Sequence, residues 1–368
     1  MTGPQGARRA PRDGLEALGG WPAVLSRLFG GADLDADLAR AALGSILSGA
    51  ADPLQAAALV GALRVKGETA DELRGFVAAM REHGEEVDLG PARSQAIDTC
   101  GTGGDRAGTI NVSTIAALVA AGAGVPVLKH GGRASSSRVG SADVLEALGA
   151  VVDLGPAGVR ACLEASGFGF CWAPRFHPAM RHVAALRRAL AVPTVFNFLG
   201  PLVNPGRVLR QVVGVGDPAM AERMLDVLEA NGAVHAIVCY GHDGLDELST
   251  VAPSTVHETR VDASGQRRRR VFTLDPGALG FRPARREELQ GGDASENAAR
   301  LRAVLAGERG AQRDFSVLNA AAALVVGDAA GDLAEAVELA EKALDSGRAL
   351  EVLERFIAAS RAAAEARG

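Results

Sequence analysis

Beyond residue 95 this chain alternates between two kinds of segment. Apolar runs at Val125–Leu128, Phe168–Trp172, Gln211–Val215 and Val234–Tyr240 are each only a few residues long, as expected of strands buried on both faces. Helical stretches at Val139–Leu148, Pro156–Ser166, Ala219–Asn231 and Leu333–Asp345 lie between or after them. Strands joined through helices pair in parallel, because the return to the same sheet edge takes a crossover. The fold class this implies is α/β, with a mainly parallel central sheet wrapped by helices. Residues 255–275 break the alternation and read as a polar hairpin at one sheet edge.

Residues 20–90 differ, with helical periodicity and no strand signal. Trp21–Phe29, Asp35–Leu47, Pro53–Lys66 and Thr69–Arg81 are four candidate helices, and Asp35 and Thr69 sit where N-caps or first turns belong. A small all-helical domain therefore precedes the α/β domain, and 368 residues are more than one core usually holds. Residues 1–18, rich in Gly, Pro and Arg, read as a flexible tail. A net charge of −5 gives no general attraction to nucleic acid or to a membrane surface, so any anion site must be local. Cys100, Cys162, Cys171 and Cys239 lie far apart with no Cys-x-x-Cys pair, which points to neither a zinc site nor a disulfide framework. Arg8, Arg9 and Arg12 are not followed by an apolar stretch, so the start is not a secretory signal. The longest apolar run, Ile115–Leu128, is broken by Gly122, Gly124 and Pro126 and is too short to span a bilayer. A soluble cytoplasmic protein is the expectation.

The chemistry concentrates in Asp98–Gly149. Gly101, Gly103 and Gly104 lead to Asp105, and Asn111, Ser113 and Thr114 open an apolar helix. Further on, Lys129, His130, Gly131, Gly132 and Arg133 run into Ser135–Ser137. Glycine lets backbone approach a ligand, and free N–H groups at a helix start favour anions. Two such turns suit a ligand with several phosphates and hydroxyls. The pattern is no Walker loop, for no Gly-Lys-Ser/Thr follows, and Arg106 stands where a dinucleotide fingerprint needs its third glycine. Gly214-x-Gly216-x-x-Ala219 does fit that fingerprint, but the next strand ends in Cys239-Tyr240-Gly241 without an acid for a ribose. Asp217-Pro218 reads instead as an N-cap followed by Pro at N1.

Asp246 and Glu247 are adjacent carboxylates on a loop just past a buried strand. One or two carboxylates, completed by phosphates and waters, are how proteins hold Mg²⁺. The segment 173–188 carries His177 before Pro178, together with Arg175, Arg181, Arg187 and Arg188. An Arg lining an apolar cleft binds a carboxylate bidentately. Arg267–Arg270, inside the polar hairpin, reads as a solvated charge run without function.

On these residues the chain resembles the anthranilate phosphoribosyltransferase family, of the nucleoside-phosphorylase and phosphoribosyltransferase class. The resemblance runs from residue 20 to residue 360 or so and rests on LRVKGETADELRGFVAAMRE (63–82), GTGGD, NVST, KHG-x-R-x-x-S-S, GSADVLEALG, FHPAMRHV, FNFLGPLVNP (196–205), HDGLDELS and VLNAAAAL (317–324). It implies Mg²⁺-dependent transfer of a phosphoribosyl group from phosphoribosyl pyrophosphate to the amine of anthranilate, a step of tryptophan biosynthesis, without a covalent nucleophile. The implied phosphoribosyl pyrophosphate contacts are Gly101, Gly104, Asp105, Thr109, Asn111, Val112, Ser113, Thr114, Lys129, His130, Gly131, Arg133, Ser135, Ser136, Ser137 and Ser141. Those for anthranilate are Gly101, His130, Gly132, His177 and Arg187, with the carboxylate near Arg187. Two Mg²⁺ ions are implied on Ser113, Asp246 and Glu247. The implied domains are 19–92, joined by helices near 177–192, and 93–176 with 193–368, with hinges near 90–97 and 173–177 and a homodimer through the helical domain.

Two positions depart from the family pattern. Gly132 stands where Asn is usual, and Phe176 where Tyr is frequent. A paralogue taking another aromatic amine is therefore one alternative. A pyrimidine-nucleoside phosphorylase, a non-catalytic phosphate-binding regulator and a dehydrogenase built on Gly214-x-Gly216 are the others.

Overall fold

The computed structural model describes residues 14–105, 107–133 and 139–366; Arg106, Ser135, Ser136, Ser137 and residues 1–13 of the expected tail lie outside it. The chain divides into two compact units, one of residues up to His83 with Ala179–Val195, the other of Gly84–Pro178 with the residues from Phe196 onward.

The first unit is helical. Its helices span Gly20–Phe29, Ala36–Leu47, Pro53–Lys66 and Ala70–Glu82, with Arg181–Leu190 added from the later segment. Asp35 caps the second of these, accepting from the Leu38 amide at 2.8 Å. Thr69 and Glu72 close a capping box at the start of the fourth. Leu38, Leu43, Leu59, Leu63, Leu73 and Phe76 fill the core. Gly75 is needed there, because a Cβ would lie 2.2 Å from the Ala36 carbonyl of the facing helix. Residues 14–17, expected in the tail, instead form a helical turn, Gly14–Ala17, pinned by the buried Leu15.

The second unit is built on a sheet of β1 (Ile97–Gly101), β2 (Val127–Gly131), β3 (Phe168–Trp172), β4 (Arg210–Gly214), β5 (His235–Gly241), β6 (Ser254–Val261) and β7 (Arg267–Leu274). Their order is β3-β2-β1-β4-β5-β6-β7, with β1 to β5 parallel and β6 and β7 antiparallel. The strand absent from the sequence reading, β1, lies in the middle. Helices Val112–Gly122 and Ala311–Val326 pack beside it, buried almost all round. Residues 84–92, expected with the helical domain, belong here: the Glu85 amide donates to the Phe176 carbonyl and the Val87 amide to that of Pro205.

The hairpin forms as β6 and β7, with Arg268, Arg269 and Arg270 exposed as expected of a solvated run and also paired with acids. Arg269 pairs with Asp226 and with both Glu229 oxygens, all at 2.6 Å, and Arg270 with Glu258 at 2.5 Å. Charge on an edge strand also discourages pairing with another chain. Among the described residues no helix is long and apolar enough to cross a membrane.

Candidate active site

The parallel strands β1, β2, β4 and β5 all end in glycine, at Gly101, Gly131, Gly214 and Gly241. Ligands of open α/β sheets bind beyond these carboxyl ends. The loop after β5 folds back across β1 and β4: a Cβ on Gly214 would fall 1.5 Å from the Asp246 carbonyl oxygen, and one on Gly101 2.3 Å from Asp246 Oδ2. Gly214 is thus a seat for that loop, while Gly216 lies against the turn after β1, where a Cβ would come 3.3 Å from the Gly103 carbonyl oxygen; these two close approaches account for the apparent dinucleotide motif. Asp217 caps the following turn, accepting from the Ala219 amide at 3.1 Å.

Asp246 is held by the turn after β1. The Gly103 amide donates to Asp246 Oδ2 at 2.7 Å, and Gly103 and Gly104 adopt left-handed φ of 70° and 92°. Asp105 closes the turn, accepting from the Ala107 amide at 3.1 Å, and its carboxyl also meets that of Asp246. Burial, and then the Asp105 charge, push Asp246 up to about 8. Burial followed by the Asp246 charge holds Glu247 well above its usual range, and Lys129 opposes this. Three carboxylates this close, one of them buried, repel one another unless protons or a cation intervene.

Lys129 is buried in the middle of β2. Its Nζ donates to the Thr99 carbonyl and, at 3.1 Å, to Ser113 Oγ. Thr99 Oγ1 in turn donates to the Ser113 carbonyl at 2.9 Å, so β1, β2 and the start of helix Val112–Gly122 are tied together. Asn111 precedes that helix with its Nδ2 on the Val139 carbonyl and its Oδ1 taken by Asn297 Nδ2, each at 3.0 Å. Thr109 forms a bridge with Gln290.

Val112 and Thr114 are buried, and their amides are spent on the carbonyls of Ile110 and Asn111 at 2.7 and 3.0 Å. Among the described residues the buried Thr114 hydroxyl has no partner. Arg133 is also committed elsewhere: it pairs with Asp143 and Glu146 at 2.9 and 2.6 Å and lies over the Trp172 ring. Ser141 packs against Gly131, whose Cβ would come within 2.2 Å of its Oγ. Gly132, by contrast, has room among the described residues, where a Cβ meets only Ala173 Cβ, at 3.8 Å.

His130 and His177 form an edge-on pair with ring centroids 5.0 Å apart. Burial is the main cause that lowers them to about 3 and about 4, so both are neutral. His130 Nδ1 lies 3.1 Å from the Gly200 carbonyl, and His177 Nε2 3.1 Å from that of Val203. A carbonyl only accepts, so those nitrogens carry the protons. His130 Nε2 and His177 Nδ1 are left as buried lone pairs without a partner. Phe176, next to His177, is fully buried.

The sequence reading did not find Asp98. Fully buried in β1, it accepts from the His130 amide at 3.1 Å, from Asn204 Nδ2 at 2.8 Å and from Gln211 Nε2 at 3.4 Å. No local pattern marks it, since Thr99 beside it is polar too. Arg187 belongs to the helical unit, on Arg181–Leu190, where burial lowers its guanidinium.

The structure therefore gathers Gly101, Gly104, Asp105, Asn111, Ser113, Lys129, Asp246 and Glu247 around the ends of β1, β2 and β5. Asp246, Glu247 and Ser113 are hard oxygen donors of the kind Mg²⁺ takes. No three His, Cys, Asp or Glu side chains among the described residues make a metal site by themselves. The uncompensated carboxylates fit a divalent cation that arrives with a phosphate ligand.

Residues 93–350 match the family model for the glycosyl transferase a/b domain, and residues 22–84 that for its helical bundle domain. The anthranilate phosphoribosyltransferase of Thermomicrobium roseum is 52% identical over 93% of this chain and 98% of its own length. The crystal structure of that of Thermus thermophilus matches with a TM-score of 0.85 at 40% identity, over 92% of this chain and 99% of the other. The Saccharomyces cerevisiae enzyme in complex with PRPP and Mg also gives 0.85, at 29% identity, over 94% and 99%.

Proposed function

We infer the activity from one premise, that the chain belongs to the anthranilate phosphoribosyltransferase family. It is an enzyme that transfers a phosphoribosyl group from phosphoribosyl pyrophosphate to the amine of anthranilate, giving N-(5-phosphoribosyl)anthranilate and pyrophosphate in tryptophan biosynthesis. The observation that carries this reading is the cluster of carboxylates, buried Asp246 with half-buried Asp105 and Glu247, beside a glycine turn and Lys129. A nucleoside phosphorylase working with inorganic phosphate has less use for such a cluster. The Gly214 contact removes the main argument for a dehydrogenase.

Asp246, Glu247 and Ser113 would hold Mg²⁺, and two ions are part of the reading. Bound there, Mg²⁺ neutralises charge growing on the pyrophosphate. The chain's own groups supply the rest. Lys129 adds a fixed positive charge, and the turn at Gly101–Asp105 with Asn111 offers amides and polar side chains to phosphate and ribose. Anthranilate's arylamine is neutral at pH 7, so no strong base is required. His130 and His177 present lone pairs that accept its N–H groups, and the reaction is then mainly one of alignment. Arg187 is proposed for the anthranilate carboxylate. A homodimer through the helical unit belongs to the same reading, supported by Phe29, Leu54 and Val65, which stand exposed there; a monomer by light scattering would remove that part.

The test follows anthranilate fluorescence in the presence of phosphoribosyl pyrophosphate and Mg²⁺. Wild type should consume the signal only when both are present, and the double variant Asp246→Asn/Glu247→Gln should be slower by about 100-fold or more. If wild type binds phosphoribosyl pyrophosphate yet leaves anthranilate untouched, the acceptor is a different aromatic amine, and Gly132 is the place to look.

A further inference from the structure

The Asp98 carboxylate is a hub. Its Oδ1 takes the His130 amide, while its Oδ2 faces Asn204 Nδ2 and Gln211 Nε2. Both amide side chains hold a second acceptor: Asn204 Nδ2 reaches the Leu128 carbonyl at 2.8 Å, and Gln211 Nε2 the Pro201 carbonyl at 2.9 Å. Asn204 Oδ1 also receives the Gly206 amide at 2.9 Å. Asp98 thereby anchors the segment 200–206 onto β1, β2 and β4.

That segment supplies the two carbonyls, Gly200 and Val203, that fix which nitrogen of His130 and of His177 carries the proton. Buried charge-assisted hydrogen bonds resist displacement more than neutral ones. A carboxylate accepts at every lone pair, whereas an amide in its place turns a donor toward donors. The charge of Asp98 is therefore matched to the donors that converge on it.

We propose that Asp98 is a positioning residue that, through Asn204, Gln211 and the 200–203 carbonyls, locks the tautomers of His130 and His177 so that both present a lone pair to the acceptor substrate. The part concerning the acceptor rests on the function proposed above; the tautomer part does not.

The experiment is Asp98→Asn in the full chain, read in two ways. Nitrogen-15 shifts of the histidine rings at pH 7.5 should show Nδ1–H for His130 and Nε2–H for His177 in wild type, and a mixture of tautomers in the variant. Kinetically, KM for anthranilate should rise about tenfold while KM for phosphoribosyl pyrophosphate moves less than about twofold. Should Asp98→Asn not fold, Gln211→Leu removes the ties of Gln211 to Asp98 and Pro201 but leaves those of Asp98 to Asn204 and His130, and should shift the same two readouts in the same direction. Unchanged tautomers overturn the proposal, as does an equal rise in both KM values, which would make Asp98 a partner of Lys129 or a purely structural group. If wild type leaves anthranilate unreacted, the ring shifts still decide the role of Asp98, and the failure belongs to the assigned acceptor.

Discussion

Gly132 shows how far one side chain can be argued. It lacks a left-handed φ, and among the described residues a Cβ would make only an ordinary 3.8 Å contact with Ala173. Nothing in the backbone therefore demands glycine, in contrast to Gly214, where a Cβ would lie 1.5 Å from a carbonyl oxygen. Gly132→Asn should fold with an unchanged melting temperature and place a polar amide at this position. A hydrogen bond made in the complex is worth about 1 kcal/mol, so KM for anthranilate should fall roughly fivefold. Steady-state fluorescence kinetics measure this directly. An unchanged KM would show that acceptor recognition here has moved away from residue 132, and a lower one for a different arylamine would identify the preferred acceptor.

Elements became legible in proportion to how local their chemistry is. The starts at Asp35 and Thr69 could be read because a cap and its partner lie three residues apart. Thr69→Ala should cost about 1 kcal/mol, read as a lower urea midpoint with unchanged slope. A larger loss, or an altered slope, would mean that Glu72, which also receives the Leu34 amide and Lys66, is released with it. Strands β2 to β5 were visible as apolar runs. The strand β1 was not, because it holds Asp98 and Thr99, polar residues buried through partners such as Asn204, 106 positions away. Helix Ala311–Val326 escaped notice for the opposite reason: buried nearly all round, it has no polar stripe to set a period. The candidate site divides in the same way. GTGGD, NVST, KHG and the Asp-Glu pair could be read because their residues are contiguous. Asp98, Asn204 and Gln211, which organise the histidines, meet only in three dimensions. Arg133 looked available for phosphate, although Asp143 and Glu146, one helical turn apart, claim it.

For the molecule as a whole, the buried histidines tie stability to pH. In the unfolded chain a histidine titrates near 6.5, whereas burial holds His130 near 3 and His177 near 4 in the native state. Between those values the unfolded chain binds more protons than the folded one. Stability therefore rises with pH through this window and is lost as pH falls below about 6.5 toward 4. From pH 6.5 to 5 each histidine contributes on the order of 2 kcal/mol, at about 1.4 kcal/mol per pH unit. Asp98 and Asp246, held above the usual carboxylate range, act in the reverse sense, favouring the fold at low pH and withdrawing that support as pH rises. The comparison with a variant isolates the imidazoles. His130→Gln/His177→Gln keeps polar side chains of similar length but cannot take up a proton. Unfolding free energies by urea at pH 6.5 and 5 should fall steeply for wild type and much less for the variant. Parallel profiles would mean that the two rings take up protons inside the fold, and the lone pairs offered to the amine would then be filled well above pH 4.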